Sequence, residues 1–334
     1  MKSKTNSKIL VTGGAGFIGS YLVDNLLSQN YIVRVLDNLS NGSKDNLQEA
    51  LKNPNFEFIK GDIVDKSTCK ELMQGINIVF HLACLGVRHS LHSPYENQRV
   101  NAEGTFNILE AALNNKVEKF FYISSSEIYG KVKTFPITED AIPEPTTIYA
   151  ASKLAGEVYT KAFHESFGLN VTILRLFNNY GPRAHYEGDA GELIPRTIVN
   201  TLYDQPPVIF GDGKFARDFI YVKDTAKILS SFINNDTIIG DTINIGVGVE
   251  YSVKDIVKKI LQLMNKQNLA VNYLPDRPGD TPRLWVDPIK FNKISDTKPS
   301  YSFEVGLKET IKYYEELKKT KNLIESVKPV NWEE

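Results

Sequence analysis

Tyr149 and Lys153 stand four residues apart in "YAASK", a spacing that puts two side chains on one helix face. A lysine cation beside a phenol stabilises the tyrosinate, so a group with an ordinary pKa of about 10 can act as a base nearer neutrality. Upstream, "SSSEIYG" carries three hydroxyls, Ser124, Ser125 and Ser126, followed at once by Glu127. One serine can hold a substrate hydroxyl while the phenolate removes its proton, and the carboxylate is a second candidate base. Each part also has a plain reading. A tyrosine and a lysine can share an amphipathic helix without doing chemistry, and Glu127 can be a solvated or ion-paired carboxylate at a strand end.

What surrounds these residues favours chemistry. Near the start, "VTGGAGFIG" follows the apolar run Ile9-Leu10-Val11, and Gly13, Gly16 and Gly19 fit G-x-x-G-x-x-G between a strand and a helix. A dinucleotide-binding turn needs a residue at positive φ, close backbone approach to phosphate, and a helix pressed on the sheet. The helix N-terminus then offers unpaired N–H groups to a pyrophosphate. "VRVLDN" ends the next strand at Asp37, about 20 residues on, where an acid accepts ribose hydroxyls. A carboxylate there repels a 2′-phosphate, which favours NAD over NADP; Arg34 and Asn38 are its neighbours. "KGDI" sets Asp62 and Ile63 at a third strand end, suited to an adenine amino group and ring face. Three such signals at successive strand ends outweigh a reading as loop carboxylates.

The elements that must position these residues alternate. "KILVTGG", "YIVRVLDN", "FEFIKGDI", "NIVFHLA", "KFFYISSS" and "NVTILRLFN" read as strands, almost continuously apolar, as parallel strands covered on both faces are. "SYLVDNLLSQ", "CKELMQGI", "GTFNILEAALNN" and "KLAGEVYTKAFHESF" carry apolar residues at helical spacing. The alternation predicts a doubly wound parallel α/β sheet, with residues 1–177 as the dinucleotide-binding domain. After Asn178 proline and glycine become frequent, and 178–330 reads as a smaller mixed α/β substrate lobe with helices over 251–266 and 304–319. "GDTINIG" returns as one more strand, so a segment near 218–247 rejoins the first domain.

Composition bounds the partners. A formal net charge of -1 over 334 residues argues against duplex nucleic acid, whose affinity rests on phosphate neutralisation. No apolar run approaches the roughly 18 residues that span a bilayer, and the polar start "MKSKTNS" lacks a secretory apolar core. Cys69 and Cys84 make no disulfide framework, so a reduced cytoplasmic setting is expected. The histidines show no metal-ligand spacing, and no metal is expected.

Taken in order, "TGGAGFIG", "GDI", "HLAC", "NAEGTFNILEAA", "SSSEIYG", "YAASK", "LRLFNNYGPR", "GDGKFARDFIYVKD" and "RPGDTPR" resemble the extended short-chain dehydrogenase/reductase family, in its nucleotide-sugar epimerase/dehydratase branch. The resemblance covers nearly the whole chain. It implies a Rossmann-type domain holding NAD tightly, a C-terminal lobe binding a nucleoside diphosphate sugar, and Ser125, Tyr149 and Lys153 as a catalytic triad. Phe17, Ile18, Asn38, Leu82 and Ala83 are implied as further cofactor contacts, and Asn178, Arg217, Arg277 and Asp280 as substrate contacts. Arg283 and Arg183 are weaker candidates, and Arg217 alternatively pairs with Asp218 or Asp224 to fix the lobe. Leu193, Ile194 and Pro195 are expected to border the base. A homodimer is implied through helices 97–114 and 150–167, where Phe106, Leu109, Leu113 and Tyr159 serve the seam or face their own sheet. Two departures stand in "HLACLGVRHSLHSP": Cys84 replaces the usual alanine, and the loop is one residue short. Cys84 reads as a small buried residue under the cofactor rather than a nucleophile.

Members of this branch first oxidise the sugar at C4. In 4,6-dehydratases the triad Ser/Thr is followed by Asp or Ser and then Glu, and Ser125-Ser126-Glu127 match the version with serine in the middle. The resemblance therefore implies a 4,6-dehydratase, with Glu127 as base at C5 and Ser126 helping to protonate the leaving hydroxyl. Alternatives are a UDP-glucose-type 4-epimerase, a decarboxylase of a nucleotide-linked uronic acid, and a silent NAD- and nucleotide-sugar-binding protein. The intact Ser, Tyr and Lys argue against the last.

Overall fold

The computed structural model describes residues 7–333; the polar start through Asn6 lies outside the described residues. The chain opens with β1 (Lys8–Thr12), α1 (Phe17–Ser28), β2 (Ile32–Asp37), β3 (Phe56–Lys60), α2 (Lys66–Leu72) and β4 (Ile78–His81). Two short helices follow, α3 (His89–His92) and α4 (Pro94–Gln98), then α5 (Thr105–Asn114), β5 (Lys119–Ser125), α6 (Ile148–Phe167) and β6 (Val171–Leu176). A seventh strand, β7 (Asn178–Tyr180), leads to α7 (Leu193–Leu202), β8 (Val208–Phe210), β9 (Ala216–Tyr221) and α8 (Val222–Ser231). The remainder is β10 (Thr242–Ile245), β11 (Glu250–Ser252), α9 (Val253–Leu263), β12 (Asn272–Leu274), β13 (Arg283–Leu284), α10 (Ile289–Ile294) and α11 (Phe303–Lys318).

Seven strands form one sheet in the order β10-β6-β5-β4-β1-β2-β3, every neighbouring pair parallel. This is the expected doubly wound Rossmann-type sheet. Its order reverses between β1 and β4, and the crevice outside their carboxyl ends is where such sheets bind ligands. Alternation along the strands supplies two cores at once. Ile9, Val11, Val33, Val35, Phe80 and Phe121 pack on one face with Leu22 and Leu26 of α1, while Leu10, Leu36, Val79, Phe120 and Tyr122 pack on the other with Ile108 of α5 and Phe163 of α6. Both faces are covered, which is why the strands read as unbroken apolar runs.

Side chains satisfy the backbone at the start of α2 and α6. Asp65 accepts from the N–H groups of Ser67 and Thr68 ahead of α2. The Thr147 hydroxyl caps α6 at Ala150, and Gly168 closes it in the left-handed conformation. Three boundaries differ from the sequence reading. β5 stops at Ser125, one residue short of the stretch read as a strand, because its pairing with β6 ends at Leu176. The helix expected over 251–266 is shortened to 253–263 because Glu250–Ser252 instead pairs antiparallel with β9. The helix expected over 97–114 is interrupted by a π-turn, Arg99–Gly104. There Asn101 turns inward, accepting from the Leu85 N–H at 2.8 Å and donating to the Leu85 carbonyl at 3.0 Å and Ser152 Oγ at 3.1 Å. Of the residues considered for a subunit seam, Leu109 is fully buried and Leu113 packs with the same core. Phe106 and Tyr159 remain exposed, edge-on to each other at 5.6 Å.

The lobe is built on a second sheet in which β9 pairs with β11, β13 and β7, with β8 and β12 as a separate parallel pair. From β9 the chain re-enters the large sheet through α8, which packs against α1, and β10, which lies beside β6.

A buried ion pair ties β6 to α6 and to the 3₁₀ turn Ser126–Tyr129. Arg175 on β6 donates to Glu157 on α6 at 2.8 Å and to the Tyr129 hydroxyl at 2.7 Å, with Arg175 4% and Glu157 2% exposed. Removing one partner strands a charge in a low dielectric. Glu157→Ala is therefore expected to cost about 3–5 kcal/mol of unfolding free energy, read from urea denaturation.

Candidate functional site

A single continuous cleft runs from the crevice at β1 and β4 into the lobe, and the sequence-derived residues line it. Gly13, Gly16, Phe17, Ile18 and Gly19 form its floor at the first βα turn, with Asp37 and Asn38 after β2, Asp62 and Ile63 after β3, and Leu82 and Ala83 after β4. Two glycines here are demanded by the chain itself. Gly13 has φ +70°, and a Cβ on it would stand 2.8 Å from the Ala83 nitrogen. A Cβ on Gly19 would lie 2.2 Å from the Gly13 carbonyl oxygen. Gly16 is the N-cap of α1, whose first turn carries no side-chain cap and no acidic residue, so those N–H groups face the cleft as an anion site does.

Asp37 holds this turn in place. Its carboxylate accepts from the N–H of Ala15 at 2.9 Å and of Leu39 at 2.8 Å, and burial raises its pKa despite both bonds. Asp62 accepts from the Asn38 side chain at 2.9 Å, which links the second and third strand ends.

Tyr149, Lys153, Ser124, Ser125, Ser126 and Glu127 converge at the middle of the cleft. Lys153 Nζ donates to the Ile123 carbonyl at 2.6 Å and lies 4.4 Å from the centroid of the Tyr122 ring. Burial lowers its pKa. Burial also pushes the Tyr149 phenol up, and Cys84 and Glu127 add to that, while a hydrogen bond with the Ser125 side chain acts the other way. The expected depression of Tyr149 by Lys153 does not show within the protein alone: Lys153 is not among the groups that shift the phenol, and desolvation of the phenolate is the largest effect. Glu127, 9% exposed, sits in the 3₁₀ turn that Ser125 caps by accepting from its N–H at 3.2 Å. Its carboxylate enters no ion pair among the described residues, so neither plain reading of it, solvated or ion-paired, matches its surroundings. Cys84 is partly buried and lines the same region; both cysteines are free thiols.

At the lobe end, Arg217 and Arg277 both donate to Asp280 Oδ1, at 2.7 and 2.5 Å. Arg217 pairs with neither of the partners considered for it. Asp218 instead accepts from the N–H groups of Val247 and Gly248, and Asp224 from those of Ser300 and Tyr301. Asp280 therefore enters as the counter-ion that aims two guanidinium groups. Arg277 Nε and Asn178 Oδ1 are buried with no partner within the protein, and both residues line the cleft. Arg183 and Arg283 are not brought there: they pair with Asp24 and Glu250. Leu193 and Ile194 line the cleft, whereas Pro195 does not. Among the described residues no group of three His, Cys, Asp or Glu gathers as a metal site, and no helix is long and apolar enough to cross a membrane.

Several lining residues had no signal in the sequence reading. Arg88, from the short loop after Cys84, donates to the carbonyls of Asp189 and Ala190 at 2.8 and 2.9 Å, and burial lowers it to about 10. Glu192, next to the Leu193-Ile194 pair, is pushed up to about 7 by burial, with Arg88 opposing. It is the N-cap residue of α7, but its side chain caps nothing. Both stand beside segments singled out for other reasons, and only the fold turns them inward.

The chain is similar to known proteins over most of its length. The family model described as GDP-mannose 4,6 dehydratase matches residues 10–310. A UDP-N-acetyl-alpha-D-glucosaminuronate decarboxylase of Bacillus cytotoxicus is 35% identical over 93% of this chain and 98% of its own. A UDP-N-acetylglucosamine 4-epimerase of Methanobrevibacter ruminantium, solved with UDP-N-acetylmuramic acid, is 35% identical with a TM-score of 0.87, covering 93% of this chain and 99% of its own. The dTDP-glucose 4,6-dehydratase DesIV of Streptomyces venezuelae, solved with NAD bound, is 30% identical with a TM-score of 0.89, covering 93% and 98%.

Glu192 gives a pH signature. Its folded pKa of about 7 lies above the ordinary 4.5, so its contribution to stability is complete below 4.5 and is lost as pH rises through 7. Relative to Glu192→Gln, the wild type is expected to lose on the order of 3 kcal/mol between about pH 4 and pH 8, measured by urea unfolding at each pH.

Proposed function

Since the chain belongs to the GDP-mannose 4,6 dehydratase family of NAD-dependent nucleotide-sugar epimerases and dehydratases, we propose that it is an NAD-dependent 4,6-dehydratase of a nucleoside diphosphate sugar. The observation that carries this is Glu127: a buried carboxylate without an ion-pair partner among the described residues, one residue beyond Ser126, in the same cleft as Tyr149. An epimerase needs no such group.

The residues present fit NAD. The uncapped first turn of α1 suits its pyrophosphate, Asp37 its ribose, and Asp62 with Ile63 its adenine. Bound there, NAD would supply a hydride acceptor and a positive ring charge beside Tyr149. Ser125 holds the sugar 4-hydroxyl, and Tyr149 takes its proton while the buried Lys153 cation stabilises the phenolate. With C4 a ketone, the C5 proton is acidified and Glu127 removes it. Ser126 hydrogen-bonds the C6 hydroxyl as it leaves as water with the proton that Glu127 took from C5; return of the C4 hydride to C6 and of a proton to C5 would then give a 4-keto-6-deoxy sugar, one water lighter than the substrate. Arg217, Arg277 and Asn178 hold the diphosphate.

A second reading, a 4-epimerase, is favoured by the intact Ser125, Tyr149 and Lys153, which suffice for it, and by the epimerase relative of 35% identity. Glu127 does not separate a dehydratase from a decarboxylase, whose family members carry a similar Ser-Glu pair, and the decarboxylase relative of 35% identity makes that reading the third outcome of the test.

The test is incubation with a panel of nucleotide sugars followed by mass spectrometry. Loss of one water is the expected outcome. Conserved mass with inverted C4, or loss of carbon dioxide, refutes the dehydratase reading. Tyr149→Phe is expected to lower turnover by about 10²–10⁴ with dinucleotide content unchanged. Glu127→Gln should still form reduced nicotinamide from substrate but release no dehydrated sugar.

A further inference from the structure

The family match stops at residue 310, yet the chain continues past α11 and folds back to the cleft. After a 3₁₀ turn, Ile324–Ser326, residues 328–332 lie along α7, where Arg196 holds them. Its Nη2 donates to the carbonyls of Lys328 at 2.7 Å and Pro329 at 2.8 Å, and its Nη1 to Asn331 Oδ1 at 3.3 Å. Asn331, 1% exposed, donates in turn to the Gly191 carbonyl at 2.8 Å, in the loop that also receives Arg88. Trp332 then meets Phe210 of β8 edge-on, with ring centroids 4.3 Å apart. Phe210, Asn331 and Trp332 all line the cleft.

This segment is more than a cap on the lobe. Arg196 is 7% exposed, lines the cleft, and has its Nε buried without a partner in the protein. An unused buried donor costs free energy unless a ligand meets it. With the sugar at Tyr149 and the diphosphate at Arg217 and Arg277, the remaining moiety of a nucleotide sugar lies farther into the lobe. There the cleft offers an aromatic corner and amide groups. That combination suits a planar heterocycle carrying carbonyl oxygens.

We propose that residues 328–332 form a nucleobase clamp: Trp332 packs on the base, Asn331 borders its polar edge, and Arg196 is the positioning residue that holds the tail. The proposal rests on the nucleotide-sugar reading above.

The experiment is calorimetric titration of the full chain with UDP, dTDP and GDP. Trp332→Ala is expected to weaken whichever nucleotide binds by about tenfold, with Trp332→Phe restoring most of it and co-purified dinucleotide and Tm unchanged. Trp285 is the other tryptophan of the chain, so Trp285→Phe leaves Trp332 as sole emitter, and its fluorescence should change on nucleotide addition. An unaltered Kd in Trp332→Ala, or Trp332 emission indifferent to a nucleotide that calorimetry shows bound, overturns the clamp alone. A wild-type chain that binds none of the three overturns the clamp and the nucleotide-sugar reading together.

Discussion

The bond from Lys153 Nζ to the Ile123 carbonyl, 2.6 Å long, is the contact on which the site depends. A buried ammonium without partners is prohibitively costly, so the cation confines α6 to one register against β5. The Tyr122 ring lies under the same ammonium, and the Tyr122 hydroxyl donates back to the Lys153 carbonyl at 3.1 Å. Helix and strand are thus pinned from both directions. Tyr149 lies one helical turn before Lys153, and Ser125 to Glu127 begin two residues after Ile123. Fixing one pair of atoms therefore fixes the relation of the phenol, the hydroxyls and the carboxylate. Arg175 reinforces the same geometry from β6 by holding Glu157 of α6 and Tyr129 of the 3₁₀ turn after β5 together.

Charge is sorted along the cleft. At the dinucleotide end, carboxylates are occupied by backbone N–H groups or amides, as Asp37 and Asp62 are. In the middle, Glu127 and Glu192 line the cleft with no ion-pair partner among the described residues, and burial raises the pKa of Glu192. At the lobe end two guanidinium groups share one carboxylate, Asp280, which leaves a net positive charge where a diphosphate suits it. A nucleotide sugar bound as proposed along this gradient would meet donors at its phosphates and proton acceptors at its sugar. That is the polarity a proton-abstracting chemistry requires.

The amino-acid sequence by itself determined the doubly wound sheet, since unbroken apolar strands alternating with amphipathic helices have one good way to bury both faces. It also determined the glycine turn, because the positive φ of Gly13 and the missing Cβ of Gly19 are local requirements. The pairing of Tyr149 with Lys153 followed from helical spacing alone. Contacts between residues far apart in the chain were decided by the tertiary structure. Arg217 takes Asp280, 63 residues away, rather than its neighbour Asp218, whose carboxylate is drawn to the N–H groups of Val247 and Gly248. Arg88 and Glu192 turn inward only because the loops that bear them close over the same cleft. Trp332 reaches that cleft only because Arg196 captures a tail lying beyond the family match. Local periodicity and turn chemistry act over a few residues and can be read in order. Desolvation and long-range pairing depend on which surfaces are brought together, and that is decided only when the sheet and the lobe close on one another.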